Sequence, residues 1–189
     1  MTRMFLALEL PDTVKAVLRR RIERLAHALL DVRFVDVAGL HLTLAFLGEL
    51  ADERLAAATG AAEESAKSHA PFTLRLANIG AFGSARAPRV IWVGLSGEVA
   101  RLRALQSTVA DGLEARGFAR EARPFAPHLT LARIKKPLSD AALTALIRAQ
   151  SEPAPDATWQ ADAISVMKSE LARPAARYTA LSCWSLTAS

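Results

Sequence analysis

His-Leu-Thr-Leu-Ala stands twice in this chain, at His41–Ala45 and again at His128–Ala132. Side chains of an extended strand alternate faces with period two. Each copy therefore puts a histidine and a threonine on one side and two leucines on the other. Chance agreement over five residues, in a chain with four histidines, has odds of about one in a thousand, so the copies read as a true internal repeat.

The repeat extends outward from both copies. Met4–Leu10 alternates like a strand, and Pro11-Asp12 then opens a helix carrying Val14, Val17, Leu18, Ile22, Leu25 and Leu29 at helical spacing. Arg89–Leu95 is the matching strand, followed by a helix with Val99, Leu102, Leu105, Val109 and Leu113 that Gly117 stops. Phe5 precedes His41 by 36 residues and Ile91 precedes His128 by 37. Each half continues alike, with an alanine-rich helix (Asp52–Lys67; Ser139–Gln150) and a further strand (Phe72–Ile79; Thr158–Met167). Gly80–Pro88 reads as a loop from its glycines and proline. Ile164–Leu171 and Arg177–Leu186 read as a final hairpin turning at Ala172–Ala176.

The fold class predicted is α+β, with two pseudo-symmetric lobes of mostly antiparallel sheet flanked by helices. One His-Thr strand per lobe faces a central groove. The whole of 1–189 forms a single bilobal domain, with repeat units at 4–80 and 89–168 and a closing hairpin at 164–186. A doubly wound parallel sheet is disfavoured, because no glycine-rich phosphate loop opens a helix after a strand.

Composition narrows the function classes. The 189 residues are 51% hydrophobic and 23% charged, which is a globular balance. No apolar run approaches the roughly 18–20 residues of a membrane span, and Met4–Leu10 is too short and too acidic for a secretion signal. Cys183 is the only cysteine, which excludes an internal disulfide and a cysteine-based zinc site and suits a reducing, cytoplasmic setting. Its apolar neighbours predict a buried strand residue. The net charge of +5 suits an anionic partner such as nucleic acid, although dispersed surface arginines explain it equally well.

The paired faces carry acid–base chemistry. Histidine exists in both protonation states near neutral pH. One imidazole can take a proton from water while its partner gives one to a leaving oxygen. The hydroxyls of Thr43 and Thr130 can donate hydrogen bonds to non-bridging phosphate oxygens. The two histidines are interchangeable on this reading. No cofactor is called for, and the zinc alternative has two histidines, no HExxH and no third ligand. His27 and His69 read as surface or capping residues. Strict alternation puts Phe46 with the leucines, as core. It does the same to Arg133, which either lies past a bulge or the strand's end, where it can meet a phosphate, or snorkels into an ion pair. Arg86, Arg89, Lys135 and Lys136 are loop charges able to guide a nucleic-acid backbone if they rim the groove. Arg19-Arg20-Arg21 reads as a solvent-facing stretch of helix.

HLTLAFLGEL and PHLTLARI resemble the two HxTx motifs of the 2H phosphoesterase superfamily, and within it the RNA 2′,3′-cyclic phosphodiesterases, also called 2′-5′ RNA ligases. FLALELP, PFTLRLANIGAFGSARAPRVIWVGL and SELARPAARYTAL resemble that family in order, so the likeness covers nearly the whole chain. The resemblance implies a bilobal fold and metal-independent opening of RNA 2′,3′-cyclic phosphates to 2′-phosphates. It implies His41 as general acid, His128 as general base, and Thr43 and Thr130 as phosphate ligands, with Arg133 as a further one. Tyr178 resembles a recurring family tyrosine. The implied partner is an RNA with a cyclic phosphate end or a small cyclic nucleotide, with no membrane and no obligate protein partner. Two other readings use the same groove: an RNA-end-binding module with little turnover, and ligation as the physiological direction.

Overall fold

A computed structural model describes residues 2–30, 32–170 and 176–188. The elements run β1 (Thr2–Glu9), α1 (Asp12–Ala28), a 3-10 turn (Val37–Gly39), β2 (His41–Gly48), α2 (Asp52–Lys67), β3 (Phe72–Ser84) and β4 (Ala87–Gly97). They continue α3 (Val99–Glu114), β5 (His128–Arg133), α4 (Asp140–Ser151), β6 (Thr158–Ala161), β7 (Ala163–Glu170) and β8 (Arg177–Ser185).

Two four-stranded antiparallel sheets result, ordered β2-β1-β7-β8 and β5-β4-β3-β6. The pairing is symmetric in a way the repeat does not announce. β3, from the first half, pairs with β4, whereas β7, from the second half, pairs with β1. Each sheet thus takes its third strand from the other half of the chain. For this reason the stretch Thr158–Met167, expected as one strand, is two: β6 joins the second sheet and β7 the first, with a break at Asp162.

Alternation sends one face of each sheet into a shared core. Leu6 and Leu8 of β1, and Leu42 and Leu44 of β2, are buried with Val14, Leu18 and Ile22 of α1. In the second sheet Ile91, Val93, Leu129 and Leu131 are buried in the same core as Leu102, Leu105 and Val109 of α3. Each such side chain contributes about 1.5–3 kcal/mol on leaving water. The opposite faces of β1 and β7 hold only a small separate cluster of Phe5, Ala7 and Met167.

The stretch Gly80–Pro88 is a hairpin rather than a loop. β3 runs to Ser84 and β4 starts at Ala87, leaving Ala85-Arg86 as the turn. Its small residues make room rather than break the strand. A Cβ built on Gly80 would lie 2.6 Å from Cε2 of Trp92, with the ring atoms Cζ2 and Cη2 nearer still. Two further expectations change. Arg21 is buried at 4% exposure, because α4 packs beside it: its guanidinium pairs with Glu152 and donates 3.1 Å to the Ala149 carbonyl. Cys183 is exposed, because β8 is the outer strand of its sheet and most of its residues face solvent. The closing hairpin forms between β7 and β8, while residues 171–175 of its expected turn lie outside the described residues. Among the described residues no helix is long and apolar enough to cross a membrane.

Candidate active site

β2 and β5, which carry the repeated motif, are edge strands of different sheets, and their Cα atoms approach within 8 Å. The chain entering β2 fastens the two edges: the Val35 amide donates 2.8 Å to the Leu131 carbonyl, and Phe34 bridges to Ala132. His41 and Thr43 stand opposite Glu9 and Ala7 of β1, whereas His128 and Thr130 stand opposite Gly94 and Trp92 of β4. The leucines between them are buried, so both His-Thr rows lie on the sheet faces turned away from the main core.

The two strands share an irregularity. In β2, Leu6 faces Ala45 while the next residue of β1, Ala7, faces Thr43, so Leu44 is an extra residue. In β5, Ile91 faces Ala132 while Trp92 faces Thr130, so Leu131 is extra. A bulge of one residue reverses the alternation beyond it. The sixth residue of each motif therefore returns to the His-Thr face. Phe46, expected in the core, is instead 70% exposed, with its ring 6.1 Å from Phe5. Arg133 sits opposite Val90 and is exposed on the same side as His128 and Thr130. Of the alternatives open for Arg133, the bulge is the one found. Equivalent positions of the two lobes thus present an aromatic ring on one side and a guanidinium on the other.

The imidazoles are held alike. His41 Nδ1 lies 2.7 Å from the Gly39 carbonyl, and His128 Nδ1 lies 2.7 Å from the Ala126 carbonyl. A carbonyl only accepts, so each Nδ1 carries a proton, and Nε2 is left as the working nitrogen of both rings. Phe5 stacks on His41 at 4.4 Å and Tyr178 meets its edge at 5.1 Å. Phe82 meets the His128 ring at 5.0 Å, with Trp92 behind at 6.4 Å. Burial pushes the His41 pKa down, while its bond to Gly39 and the Glu9 carboxylate push it up and Lys15 pushes it down.

The aromatic settings of both histidines escaped sequence reasoning. Phe5 was findable, since it alternates with Ala7 and Glu9 on the face away from Leu6 and Leu8. Tyr178 packs over Gly39, where a Cβ would lie 2.5 Å from the tyrosine Cδ2. Arg86 is one of the two turn residues of the β3–β4 hairpin, and Lys135 and Lys136 are exposed beyond β5. Arg89 alternates to the face opposite Val90 and Arg133. His27 is exposed near the end of α1, and His69 lies 2.9 Å from the Thr108 hydroxyl, away from the motif strands. A cavity of about 550 Å³ on α1, lined by Arg20, Arg24, His27 and Asp156 among others, includes neither motif. Among the described residues no three His, Cys, Asp or Glu side chains come together as a metal site.

Two antiparallel sheets meeting at a repeated His-Thr edge put the chain in the bilobal two-histidine class that its motifs resemble. The chain belongs to the 2′-5′ RNA ligase superfamily, whose family model matches residues 14–173. It is 37% identical over 131 residues to an RNA 2′,3′-cyclic phosphodiesterase of Aeropyrum pernix, covering 69% of this chain and 73% of that one. The protein of that name from Geobacillus stearothermophilus is 36% identical over 129 residues, which span 68% of this chain but 41% of the relative. Among solved structures, Escherichia coli LigT complexed with 3′-AMP superposes with a TM-score of 0.78 at 29% identity, covering 99% of both chains.

Proposed function

We propose that this protein hydrolyses RNA 2′,3′-cyclic phosphate ends to 2′-phosphomonoesters without a metal ion, by paired-histidine acid–base catalysis. The observation that carries the reading is the matched tethering of two imidazoles, each held by Nδ1 on a backbone carbonyl, on edge strands that approach within 8 Å. The names and coverage of the relatives support the substrate class.

In this mechanism the cyclic phosphate sits in a groove between the His-Thr rows. His128 Nε2 takes a proton from water as its oxygen attacks phosphorus. The P–O3′ bond breaks, and the departing 3′ oxygen takes the proton from His41 Nε2, leaving a 3′-hydroxyl and a 2′-phosphate. Thr43, Thr130 and Arg133 hold the non-bridging oxygens and balance the charge that builds on them. Phe46, at the position equivalent to Arg133, offers its exposed ring to the adjoining base. We read the chain as a single bilobal domain of repeat units 4–80 and 89–168 with a closing hairpin, and its lone cysteine suits the cytoplasm.

The test incubates the protein with an RNA bearing a 2′,3′-cyclic end in excess chelator and locates the product phosphate. A 2′-phosphate is expected, with His41→Ala and His128→Ala each lowering kcat by about 10²–10⁴ while both variants stay folded. A 3′-phosphate, loss of activity in chelator, or full activity in either variant overturns the reading.

A further inference from the structure

The two lobes differ at one pair of equivalent positions in a way the repeat hides. The residue directly across from His41 is Glu9, whereas the residue directly across from His128 is Gly94. Directly opposed side chains in an antiparallel pair have Cβ atoms about 4.5–5.5 Å apart, close enough for a carboxylate to act on an imidazolium. Glu9 is also anchored. Its Oε1 accepts a 2.6 Å hydrogen bond from Ser165 Oγ on β7, a serine 1% exposed. A buried hydroxyl satisfied by that carboxylate fixes where the negative charge lies.

The surroundings of His41 oppose its protonated form, and such a charge offsets part of that beside the bond to Gly39. Phe5 and Tyr178 enclose the ring, and removal from water disfavours the imidazolium that a proton donor must carry. The titratable or charged groups facing it are Glu9 from β1, Lys15 from α1 and Tyr178 from β8. Lys15 opposes the protonated ring and the Glu9 carboxylate favours it.

Building on the acid–base reading above, we propose that Glu9, anchored by Ser165, is the positioning residue that makes His41 rather than His128 the proton donor of the pair. The glycine at the equivalent position leaves His128 without a facing carboxylate and so free to act as acceptor. The division of labour between two nearly identical motifs thus comes from the neighbouring strand.

The experiment compares wild type, Glu9→Gln, Ser165→Ala and Lys15→Gln by ring-proton NMR titration of all four histidines, assigned with single histidine variants, and by the pH profile of kcat/KM on a cyclic-phosphate RNA. In Glu9→Gln the His41 midpoint moves to lower pH, the His128 midpoint moves less, and kcat/KM falls roughly three- to tenfold on the alkaline side of the wild-type His41 midpoint but little on its acid side. Ser165→Ala gives a smaller shift in the same direction, and Lys15→Gln the opposite one. A His41 midpoint that stays or rises in Glu9→Gln overturns the proposal, as does a rate loss equal at every pH. If wild type does not open the cyclic phosphate at all, the functional reading falls instead, and the NMR midpoint still judges whether Glu9 controls His41.

Discussion

Adding one methyl group at Gly80 tests whether the aromatic backing of His128 matters. A Cβ there would come 2.6 Å from Trp92 Cε2, with the neighbouring ring atoms closer, against an ordinary separation of about 3.5–4.0 Å. The indole must therefore retreat by about 1 Å or more. It is hemmed in, with Phe82 at 5.2 Å and the His128 ring at 6.4 Å, so the displacement reaches the His-Thr face. Overpacking of this kind costs about 1–3 kcal/mol. For a chain of this size that lowers Tm by about 3–10 °C. Gly80→Ala is expected to show that loss in a tryptophan-monitored melt, with kcat on a cyclic-phosphate RNA reduced severalfold. Trp92→Leu in the same chain removes the ring that the methyl group strikes. The double variant should then be more stable than the sum of the two single losses predicts, a coupling of about 1 kcal/mol or more. An unchanged Tm in Gly80→Ala, or strictly additive losses, would refute the reasoning.

Arg133→Gln should weaken substrate and transition state together, raising KM and lowering kcat/KM by about 10–100-fold, whereas Phe46→Ala should raise KM severalfold for oligonucleotides with kcat nearly unchanged; a Phe46→Ala variant that alters only kcat contradicts the base-contact assignment. Stability should fall with acid above the carboxylate range. Burial depresses the native pKa of His41 and, less completely enclosed, of His69, so the unfolded chain binds more protons as pH drops below the ordinary histidine value of about 6.5. Their contribution is present above that value and is lost as pH falls through the native ones. The urea midpoint should therefore be lower at pH 5.5 than at pH 7.5, and His41→Gln should flatten the difference; a midpoint indifferent to pH would contradict the burial of that ring. Glu152→Ala should cost about 2–3 kcal/mol in urea unfolding, more than a surface carboxylate, because it leaves the Arg21 guanidinium, 5% exposed, without its partner charge.

Alternation, helical spacing and the repeated pentapeptide sufficed to read the α+β class, the four helices and the strands bearing the histidines. They failed where geometry departs from strict period two. A bulge leaves no mark in a run such as Leu-Ala, so the return of Phe46 and Arg133 to the His-Thr face could not be counted out from the motifs. The burial of Arg21 depends on α4, more than a hundred residues further along, and composition says nothing of such a partner. The exposure of Cys183 follows from β8 being an outer strand, a matter of sheet order. The proposed division of roles between the histidines is equally invisible in two copies of one pentapeptide, since the difference between Glu9 and Gly94 becomes meaningful only once register places each across from its ring.

Because β3 and β7 each sit in the sheet founded by the other half, neither half contains a finished sheet. Severing the chain at the Ala85-Arg86 turn would leave the first fragment without β7 and the second without β3, each with a raw backbone edge where the missing strand belonged. The fragments should dissolve poorly apart and regain function only when mixed, each acting as the other's template. The same interlocking ties the spacing of the two motif histidines to completion of the entire polypeptide, so that a partly made or partly melted chain does not hold them together.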